Sequence, residues 1–444
     1  MQRLSKFCAV LAFAMPLAQV WALDLTQAYQ LALEQDASIK ASRAYADAGR
    51  ESLPLARAQL LPNVSASFSR NRNQLDSSTP NILGEQTRSS YSYPSSNDTV
   101  VLRQPIFHSG RWAQYRQAQA QVADVEAVLE NDTQNLAVKV GGAYFEALLA
   151  QDQLALNRSQ LSTYRAHLES ARRLLAGGSG TRTEVDEAQA KLDLGIAQEL
   201  ESLQNVDYTR QQLQVIVNQP LDVLASLDPK KLVLMPPQPA ILDAWITRAE
   251  QMSAELRALR ARVDASGYEI SKARAGHYPT LDAVAQWSRS NSENSVSINS
   301  SYETRSIGIQ LAVPIYAGGA VNSAVRQAIA NNERAIQILE AARRDLGVRV
   351  YKEFRGVSEG VLRVRALEQA VRSAELAQES SRKSFQGGAR TRIDVLNSET
   401  SVVLAKRDLA QARYVFLISQ LRLQALVNDA GLASIDSVNQ FLTR

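Results

Sequence analysis

The segment VPIYAGGAVNSAVRQA at residues 313–328 decides the fold. Its beginning matches the stretch QPIFHSGRWAQ at residues 104–114, which is the first sign that the chain contains a repeat. In both places a Pro-Ile-aromatic triplet ends an alternating segment, and a short glycine-containing turn leads into a very long helical pattern. The pairs Gly177-Gly178 and Gly387-Gly388, which end those patterns, keep the same offset of about 210 residues. A constant offset over so many segments marks an internal duplication.

The duplication divides the chain into two repeats, each reading helix, strand, loop, strand, long helix, tight turn, long helix. The predicted domains, in chain order, are a signal peptide (1–22), a first repeat (23–218), a Pro-rich connector (219–240), a second repeat (241–428) and a C-terminal tail (429–444). We expect the strand pair and the long helical hairpin at about 63–106 and 110–218 in the first repeat, and at about 280–313 and 317–428 in the second.

The N-terminus has the pattern of a secretory signal peptide. Arg3 and Lys6 precede an apolar run at 7–17, and Val20-Trp21-Ala22 fits the small-x-small cleavage rule. A membrane anchor is the alternative, but the run has about ten residues whereas a spanning helix needs roughly 20. Cys8, the only cysteine, would leave with the signal, so we expect no disulfide, no thiolate nucleophile and no lipid anchor on the mature protein.

The charge pattern argues against a nucleic-acid partner. The formal net charge is +4, and basic and acidic residues are interspersed, so the sequence predicts no basic patch. No run of about 18 uncharged apolar residues follows the signal, which predicts no transmembrane helix. An exported chain of this kind can be periplasmic, secreted or inserted in the outer membrane by its strands.

Seven-residue spacing of apolar residues predicts unusually long coiled-coil helices. The spaced residues are Leu154, Leu161, Leu168 and Leu175 in the first repeat, and Val350, Val357, Val364 and Val371 in the second. Sustained heptads indicate left-handed coiled-coil seams. The pattern at 111–176 would span roughly 100 Å at 1.5 Å per residue, with shorter helices at 37–59 and 183–218 beside it. Because the faces outside the seam are polar, we expect a hollow cylinder of helices rather than a filled bundle.

The strand segments alternate between apolar and polar residues. Val64, Ala66 and Phe68 alternate with serines, and the segments at 281–288 and 306–313 show the same period of two. We expect Ser/Asn/Thr-rich loops at 71–98 and 291–304. Two hairpins of a soluble sheet are the alternative. Four strands are too few to close a barrel and would leave exposed edges, so we expect several copies of the chain to close one barrel together.

Three strings in the second repeat carry a family resemblance: GHYPTLD at 276–282, VPIYAGGAVNSAVRQA at 313–328 and ARYVFLISQLRLQALVN at 412–428. With the matching order of segments in both halves, the mature chain resembles the TolC family of outer-membrane efflux proteins, and its non-lipidated members most. The resemblance implies a mainly α fold with a membrane β-barrel. Three protomers would contribute four strands each to a 12-stranded outer-membrane barrel, and their long coiled-coil helices would form a periplasmic α-barrel.

The same resemblance implies function, location and partners. The expected homotrimer lies in the outer membrane, extends into the periplasm and serves as the exit duct for multidrug efflux pumps and type I protein secretion. Its periplasmic end would open when a periplasmic adaptor (membrane fusion) protein and an inner-membrane RND or ABC transporter dock. The connector would lie in an equatorial region. Outer-membrane lipid is the remaining expected partner, and a duct dedicated to one type I secretion system is the alternative.

Two other classes of protein fit the sequence less well. The histidines His108, His167 and His277 have no partner at metal-ligand spacing, so we expect no enzyme, no cofactor and no metal site. A periplasmic adaptor would have one helical hairpin inside a split β-rich module. This chain has two hairpins, each preceded by a strand pair.

The resemblance places a gate at the hairpin tips. Arg390 matches a family arginine that bonds to a neighbouring hairpin, and Thr183 and Glu184 match the threonine and aspartate that receive it. An arginine fork on a carboxylate is directional, which suits a reversible latch. Phe385 replaces a family tyrosine and has no hydroxyl to donate. The alternative is that these charges only stabilise a helix start.

Asp394 and Asn397 match the positions of two aspartate rings that line the constriction in the family. Three copies of Asp394 would favour cations and bind multivalent ones, whereas Asn397 lacks the charge and predicts weaker cation selectivity. The two glycine pairs permit the positive φ of a helix reversal. In the family the same tips are the surface that adaptors grip, so Gly177, Gly178, Gly387 and Gly388 also mark the expected docking site.

Overall fold

The computed structural model describes residues 22–221, 223–292 and 300–443. The predicted signal peptide therefore lies outside the described residues, except for its last position. The helices are α1 (Leu25–Gln35), α2 (Ala37–Arg50), α3 (Ser52–Ala58), α4 (Ser109–Ala176), α5 (Arg182–Val217), α6 (Leu242–Met252), α7 (Ala254–Arg274), α8 (Ala320–Gln386), α9 (Arg392–Leu426) and α10 (Leu432–Asn439). The strands are β1 (Asn63–Pro80), β2 (Gln86–Phe107), β3 (Thr280–Ser292) and β4 (Ser300–Ala312).

None of the helices in the described ranges is both long enough and apolar enough to cross a membrane. The chain forms two compact units, each assembled from segments that are distant in sequence. The first unit draws on residues 22–37, 133–245 and 350–443, and the second draws on 38–132 and 246–349.

The prediction of long coiled-coil helices is confirmed. Helix α4 has 68 residues and α8 has 67. The spaced leucines and valines form the buried seam, with Leu161 at 2% and Val364 at 0% exposure. Leu175 departs from the prediction because it is 39% exposed, one residue before the end of α4. The seam therefore stops short of the tip.

The helix predicted at 37–59 is interrupted. Helix α2 ends at Arg50, and α3 begins at Ser52 after a turn at Glu51. Pro54 explains the break, since its ring clashes with the carbonyl four residues earlier, which belongs to Arg50. Proline is tolerated in the first turn of α3, where its missing N–H would have no helical acceptor.

The four strands form one antiparallel sheet in the order β1-β2-β3-β4. Residues that face each other in register project from the same side of a sheet. The row Val64, Leu102, Ala285 and Ile307 belongs to one face, and the next row, beginning with Ser65 and Val101, belongs to the other. The predicted alternation is thus confirmed, with an apolar face and a face rich in small polar residues.

The loop predicted at 71–98 is wrong. Strand β1 continues to Pro80 and β2 begins at Gln86, so only a short turn separates them. Polar side chains bond across the two strands, with Ser77 Oγ 2.9 Å from Ser89 Oγ and Asn73 Nδ2 donating to Ser95 Oγ at 2.8 Å. The backbone ladder needs no apolar alternation, and these polar pairs extend it beyond the segment where alternation stops.

The loop predicted at 291–304 is also too long. Strand β3 ends at Ser292 and β4 begins at Ser300, so both strands extend into the predicted loop. Ser300 Oγ donates to the carbonyl of Ser292 at 3.0 Å where the two strands close. Residues 293–299, the middle of the predicted loop, lie outside the described residues.

The first unit has an apolar core that joins the two chain ends to the connector. Tyr144 is fully buried, and its hydroxyl lies 2.8 Å from the carbonyl oxygen of Leu23 and 2.9 Å from that of Ala225. Leu23 forms a parallel bridge with Leu224, and Leu227 forms an antiparallel bridge with Leu442. Segments from the N-terminus, the connector and the C-terminal tail therefore meet in one place.

The second unit packs its helices closely through small side chains. A Cβ placed on Gly49 of α2 would lie 2.8 Å from the side chain of Val125 on α4, so glycine is required for this approach. On the exposed side, Arg262 Nε of α7 lies 2.9 Å from both carboxylate oxygens of Asp124. In the sequence, α2 comes shortly before β1, α4 follows β2 and α7 comes shortly before β3, so these helices adjoin the strands.

A candidate gate at the hairpin tips

The two hairpin tips have the same backbone geometry, as the duplication predicts. Gly178 has φ +75° and Gly388 has φ +74°, a region that L side chains rarely adopt. At the first tip Gly178 N donates to the carbonyl of Leu175 at 3.1 Å, and at the second Gly388 N donates to that of Phe385 at 3.0 Å. These bonds satisfy the last carbonyls of α4 and α8.

Glu184 and Asp394 hold matching positions at the start of the returning helices. Thr181 N donates to Glu184 Oε2 at 3.0 Å, and Thr391 N donates to Asp394 Oδ2 at 2.9 Å. In return, each threonine hydroxyl accepts from the backbone N–H of its acid. Both pairs are capping boxes, so both acids have a structural role whatever else they do.

The charge state of Asp394 follows from this cap. The hydroxyl and backbone N–H of Thr391 hold the pKa of Asp394 below its ordinary value, and Arg390 acts in the same direction. The carboxylate is therefore charged under all but acidic conditions. Asn397 follows on α9 with an exposed side chain, close to the charge of Asp394 along the helix.

The predicted latch residues are engaged inside their own hairpins. Arg390 Nη1 donates to Ser381 Oγ of α8 at 3.2 Å, while Glu184 binds Thr181 of its own turn. Thr183 is exposed beside Glu184. Within the described chain, then, the structure brings Arg390 to Ser381 rather than to Thr183 or Glu184.

Only the second tip can carry the arginine. Gly180 holds the place in the first tip that Arg390 holds in the second. A Cβ on Gly180 would lie 2.9 Å from the backbone nitrogen of Leu175 and 3.0 Å from the carbonyl carbon of Leu174. The first tip thus excludes a side chain where the second tip presents a guanidinium.

Phe385 has a partner that sequence reasoning missed. The guanidinium carbon of Arg392 lies 5.5 Å from the centre of the Phe385 ring, within the range of a cation–π contact. The contact joins the last turn of α8 to the first turn of α9. This contact uses the face of the ring, so Phe385 can make it although it lacks the hydroxyl of a tyrosine.

A buried charged cluster above the tips was also missed. Glu399 of α9 is 9% exposed at its side chain, and His167 Nε2 of α4 lies 2.8 Å from Glu399 Oε2. Arg382 Nη2 of α8 donates to Glu399 Oε1 at 3.0 Å. The sequence contained a sign of this cluster, because Glu399 stands at seam spacing between Val395 and Val402, where an apolar residue is expected. Both valines are buried in the structure.

The hairpins also form an amide-rich groove farther from the tips. Its volume is about 860 Å³, and α4, α5 and α9 line it. The lining includes Asn157, Gln160, Tyr164, Tyr208 and Arg407. The groove offers hydrogen bonds and ring faces rather than a strong charge, which suits the polar face of another helix.

Comparison with known proteins places the chain in a family. The family described as outer membrane efflux protein matches residues 28–219 and 245–429. The chain is 35% identical over 406 residues to the alkaline protease secretion protein AprF of Pseudomonas aeruginosa, covering 91% of this chain and 84% of that one. It is 30% identical over 427 residues to the outer membrane protein TolC of Vibrio cholerae, covering 95% and 94%.

A solved structure shows the same fold. The outer membrane protein VceC from Vibrio cholerae superposes with a TM-score of 0.77 at 18% identity, covering 91% of this chain and 96% of that one. Because the family match spans both repeats, with their strand pairs and helical hairpins, this chain belongs to the outer membrane efflux protein family and is a channel protein of the outer membrane that extends into the periplasm.

Proposed function

We propose that the chain forms a homotrimeric exit duct that serves both tripartite multidrug efflux pumps and type I protein secretion. The observation that carries the proposal is the pair of similarities. The chain is similar both to a protein named for protease secretion and to TolC, and its family is described as outer membrane efflux protein. A shared duct accounts for both with one structure.

The sheet supports the trimer. Strands β1 and β4 are the edges of a four-stranded sheet, so each has one side without a partner strand in its own sheet. Edge strands of this length with an apolar face require pairing or cover. Three copies joined from β1 to β4 would give twelve strands, and the even number suits an antiparallel outer-membrane barrel.

The tips support a gate. The second oxygen of the Glu184 carboxylate remains available to Arg390 of a neighbouring hairpin while Glu184 Oε2 keeps its cap. In the trimer Arg390 would give up its hydrogen bond to Ser381 and bind Glu184 and Thr183 of the neighbouring hairpin. It would thereby replace a neutral acceptor with a site that includes a carboxylate. Three copies of Asp394 would stand near the axis, and Asn397 would leave the second ring uncharged.

Docking of a periplasmic adaptor and an inner-membrane RND or ABC transporter would open this gate. The glycine turns and the amide-rich groove give the adaptor an exposed tip and a polar groove on the same hairpins. The connector, held between the two chain ends by its bridges to Leu23 and Leu442, would form the equatorial region.

A dedicated type I secretion duct is the second candidate. The 35% identity with the alkaline protease secretion protein favours it, because that relative is named for a single class of cargo. The two candidates differ in how many kinds of adaptor bind the tips.

In-cell crosslinking separates them. A photoreactive residue replaces Ser179 at the exposed first tip, and captured proteins are identified by mass spectrometry. Gln337, exposed on α8 in the other unit, is the matched control position. Adaptors of both drug pumps and ABC exporters at residue 179, and neither at 337, are expected for a shared duct. Capture of one exporter's adaptor alone would instead favour the dedicated duct, and capture of none from an assembled trimer would exclude the tip as docking site.

A further inference from the structure

One face of the sheet has the character of a lipid-facing surface. Its apolar residues come from all four strands. Those on the edge strands β1 and β4 include strongly exposed side chains, as in Phe68 at 70% and Ile307 at 92%, whereas those on β3 are partly exposed. One row of this face consists of Val64, Leu102, Ala285 and Ile307, and Phe68 and Trp287 belong to the rows beyond it. The opposite face carries mainly serine, threonine, asparagine and glutamine.

Beyond its apolar rows the same face carries charged residues. In the strand register Phe68 faces Asp98, Asp98 faces Arg289, and Arg289 faces Glu303. Arg70 lies two residues beyond Phe68 on β1, and Arg305 faces Trp287 on β4. Since residues two apart on a strand share a face, all of these side chains project from the apolar side. We call Arg70, Arg289 and Arg305, with Asp98 and Glu303, the arginine belt.

The belt has more guanidinium groups than carboxylates. Arg70 donates from both terminal nitrogens to the two carboxylate oxygens of Asp98. Arg305 and the indole N–H of Trp287 donate to Glu303. Both carboxylates are thus already hydrogen-bonded by other groups. Arg289 stands between them and within reach of their charges, so the belt has three guanidinium groups for two carboxylates. Arg70 and Arg305 remain 63% and 79% exposed at their side chains.

In an outer-membrane barrel the belt would lie at one level along the strands. The apolar rows are nearest the strand ends that join the helices, and the belt follows them in the direction of the β1–β2 turn. Trp287 and Phe68 stand between the apolar rows and the charges, as aromatic residues do at a membrane–water interface. Because the helices of this family extend into the periplasm, the belt would then mark the edge of the outer leaflet.

We propose that the arginine belt binds phosphate groups on lipid headgroups of the outer leaflet. A guanidinium fork matches a phosphate with two parallel hydrogen bonds, and an anionic headgroup compensates the excess positive charge of the belt. The acyl chains of the same lipid would cover the apolar rows below. The carboxylates hold Arg70 and Arg305 in place, so the forks are oriented before the lipid arrives. This proposal is independent of the gate and of the cargo.

Native mass spectrometry of the detergent-purified channel tests the proposal. The assembled channel is titrated with bisphosphorylated lipid A and with the same lipid after enzymatic dephosphorylation. We expect the phosphorylated lipid to bind about tenfold more tightly, the effect of about one charge-assisted contact. Arg289→Gln should remove most of that preference, and Arg289→Lys should keep part of it. Counting bound lipid only on intact assemblies ensures that each variant is folded.

Arg103→Gln is the matched control. Arg103 lies on β2 beside Leu102 and therefore projects from the other face, where its Nη2 donates to Gln310 at 3.3 Å. It should leave lipid binding unchanged. Equal binding of the two lipids to the wild type, or an equal loss in Arg103→Gln and Arg289→Gln, would overturn the proposal. Competition by inorganic phosphate at equal concentration would overturn it as well, because the site would then be a general anion site rather than a lipid site.

Discussion

The imidazole Nε2 of His167 lies 2.8 Å from the carboxylate Oε2 of Glu399, and this contact joins α4 to α9 just above the hairpin tips. Arg382 binds the other oxygen of the same carboxylate from α8. Three long helices are therefore tied to one buried side chain. Any opening of the proposed gate that separates α4 from α9 must break this cluster.

Replacement of Glu399 should loosen the hairpins. Glu399→Gln keeps the shape but removes the charge that His167 and Arg382 share, and we expect a loss of about 2 kcal/mol in local stability. Hydrogen exchange of backbone amides around 160–170 and 395–405 should then be about thirtyfold faster.

The control for this change is Glu379→Gln on α8. Glu379 pairs with Lys383 at 2.6 Å, but both side chains are more than half exposed. Exposed pairs of this kind contribute little to stability, because solvent screens their charges. Similar exchange rates in the two variants would show that burial of Glu399 has no special effect.

The same cluster predicts a pH dependence. Burial raises the pKa of Glu399, but the hydrogen bonds and charges of His167 and Arg382 outweigh burial, and its pKa lies below the ordinary value. A lowered folded-state pKa stabilises the fold above the ordinary carboxyl pKa, and this contribution is lost as pH falls through the lowered pKa. Amide protection in the hairpins, taken relative to the intrinsic exchange rate at each pH, should therefore fall on acidification in the wild type. This loss of protection should be absent from Glu399→Gln, and its persistence there would assign it to another group.

Arg390→Ala should raise the resting conductance of the trimer in planar bilayers. Three latch bonds, each worth up to about 1 kcal/mol at an exposed site, would be lost together. Ser381→Ala removes only the contact within the hairpin, so it should leave the conductance near the wild-type level. Unchanged conductance in Arg390→Ala would refute the latch, and an equal rise in Ser381→Ala would assign the effect to the hairpin itself.

Asn397→Asp should strengthen block by multivalent cations. The substitution adds a second ring of three charges near the Asp394 ring, and block by a trivalent cation should need a lower concentration. Because the pKa of Asp394 is lowered, block of the wild type should persist below the ordinary aspartate pKa as pH falls. Equal block of Asn397→Asp and wild type would place Asn397 away from the constriction.

Much of the fold could be predicted because periodicity reports directly on packing. The heptads of α4 and α8 predicted buried seams, and the alternation at Val64 to Phe68 predicted the two faces of the sheet. The full length of the strands could not be predicted, since Ser77 and Ser89 bond across the ladder without any apolar alternation. Pro54 was the visible sign of the break between α2 and α3.

The candidate site was predicted less completely. The glycine turns follow from residue type, and their positive φ is confirmed at Gly178 and Gly388. The role of Asp394 in a capping box is local and was readable from its spacing to Thr391. The cluster of His167, Arg382 and Glu399 was not, because its members come from three helices whose relative register no single helix reveals.

The most direct test of the central claim is complementation of a Gram-negative strain that lacks its own outer-membrane exit duct. The measurement is made on one culture expressing this chain, with drug susceptibility and the amount of protease secreted into the medium as the two readouts. The account predicts that both resistance and secretion are restored. Restoration of secretion alone would contradict the shared duct in favour of the dedicated one, and restoration of neither by an assembled trimer would contradict the account as a whole.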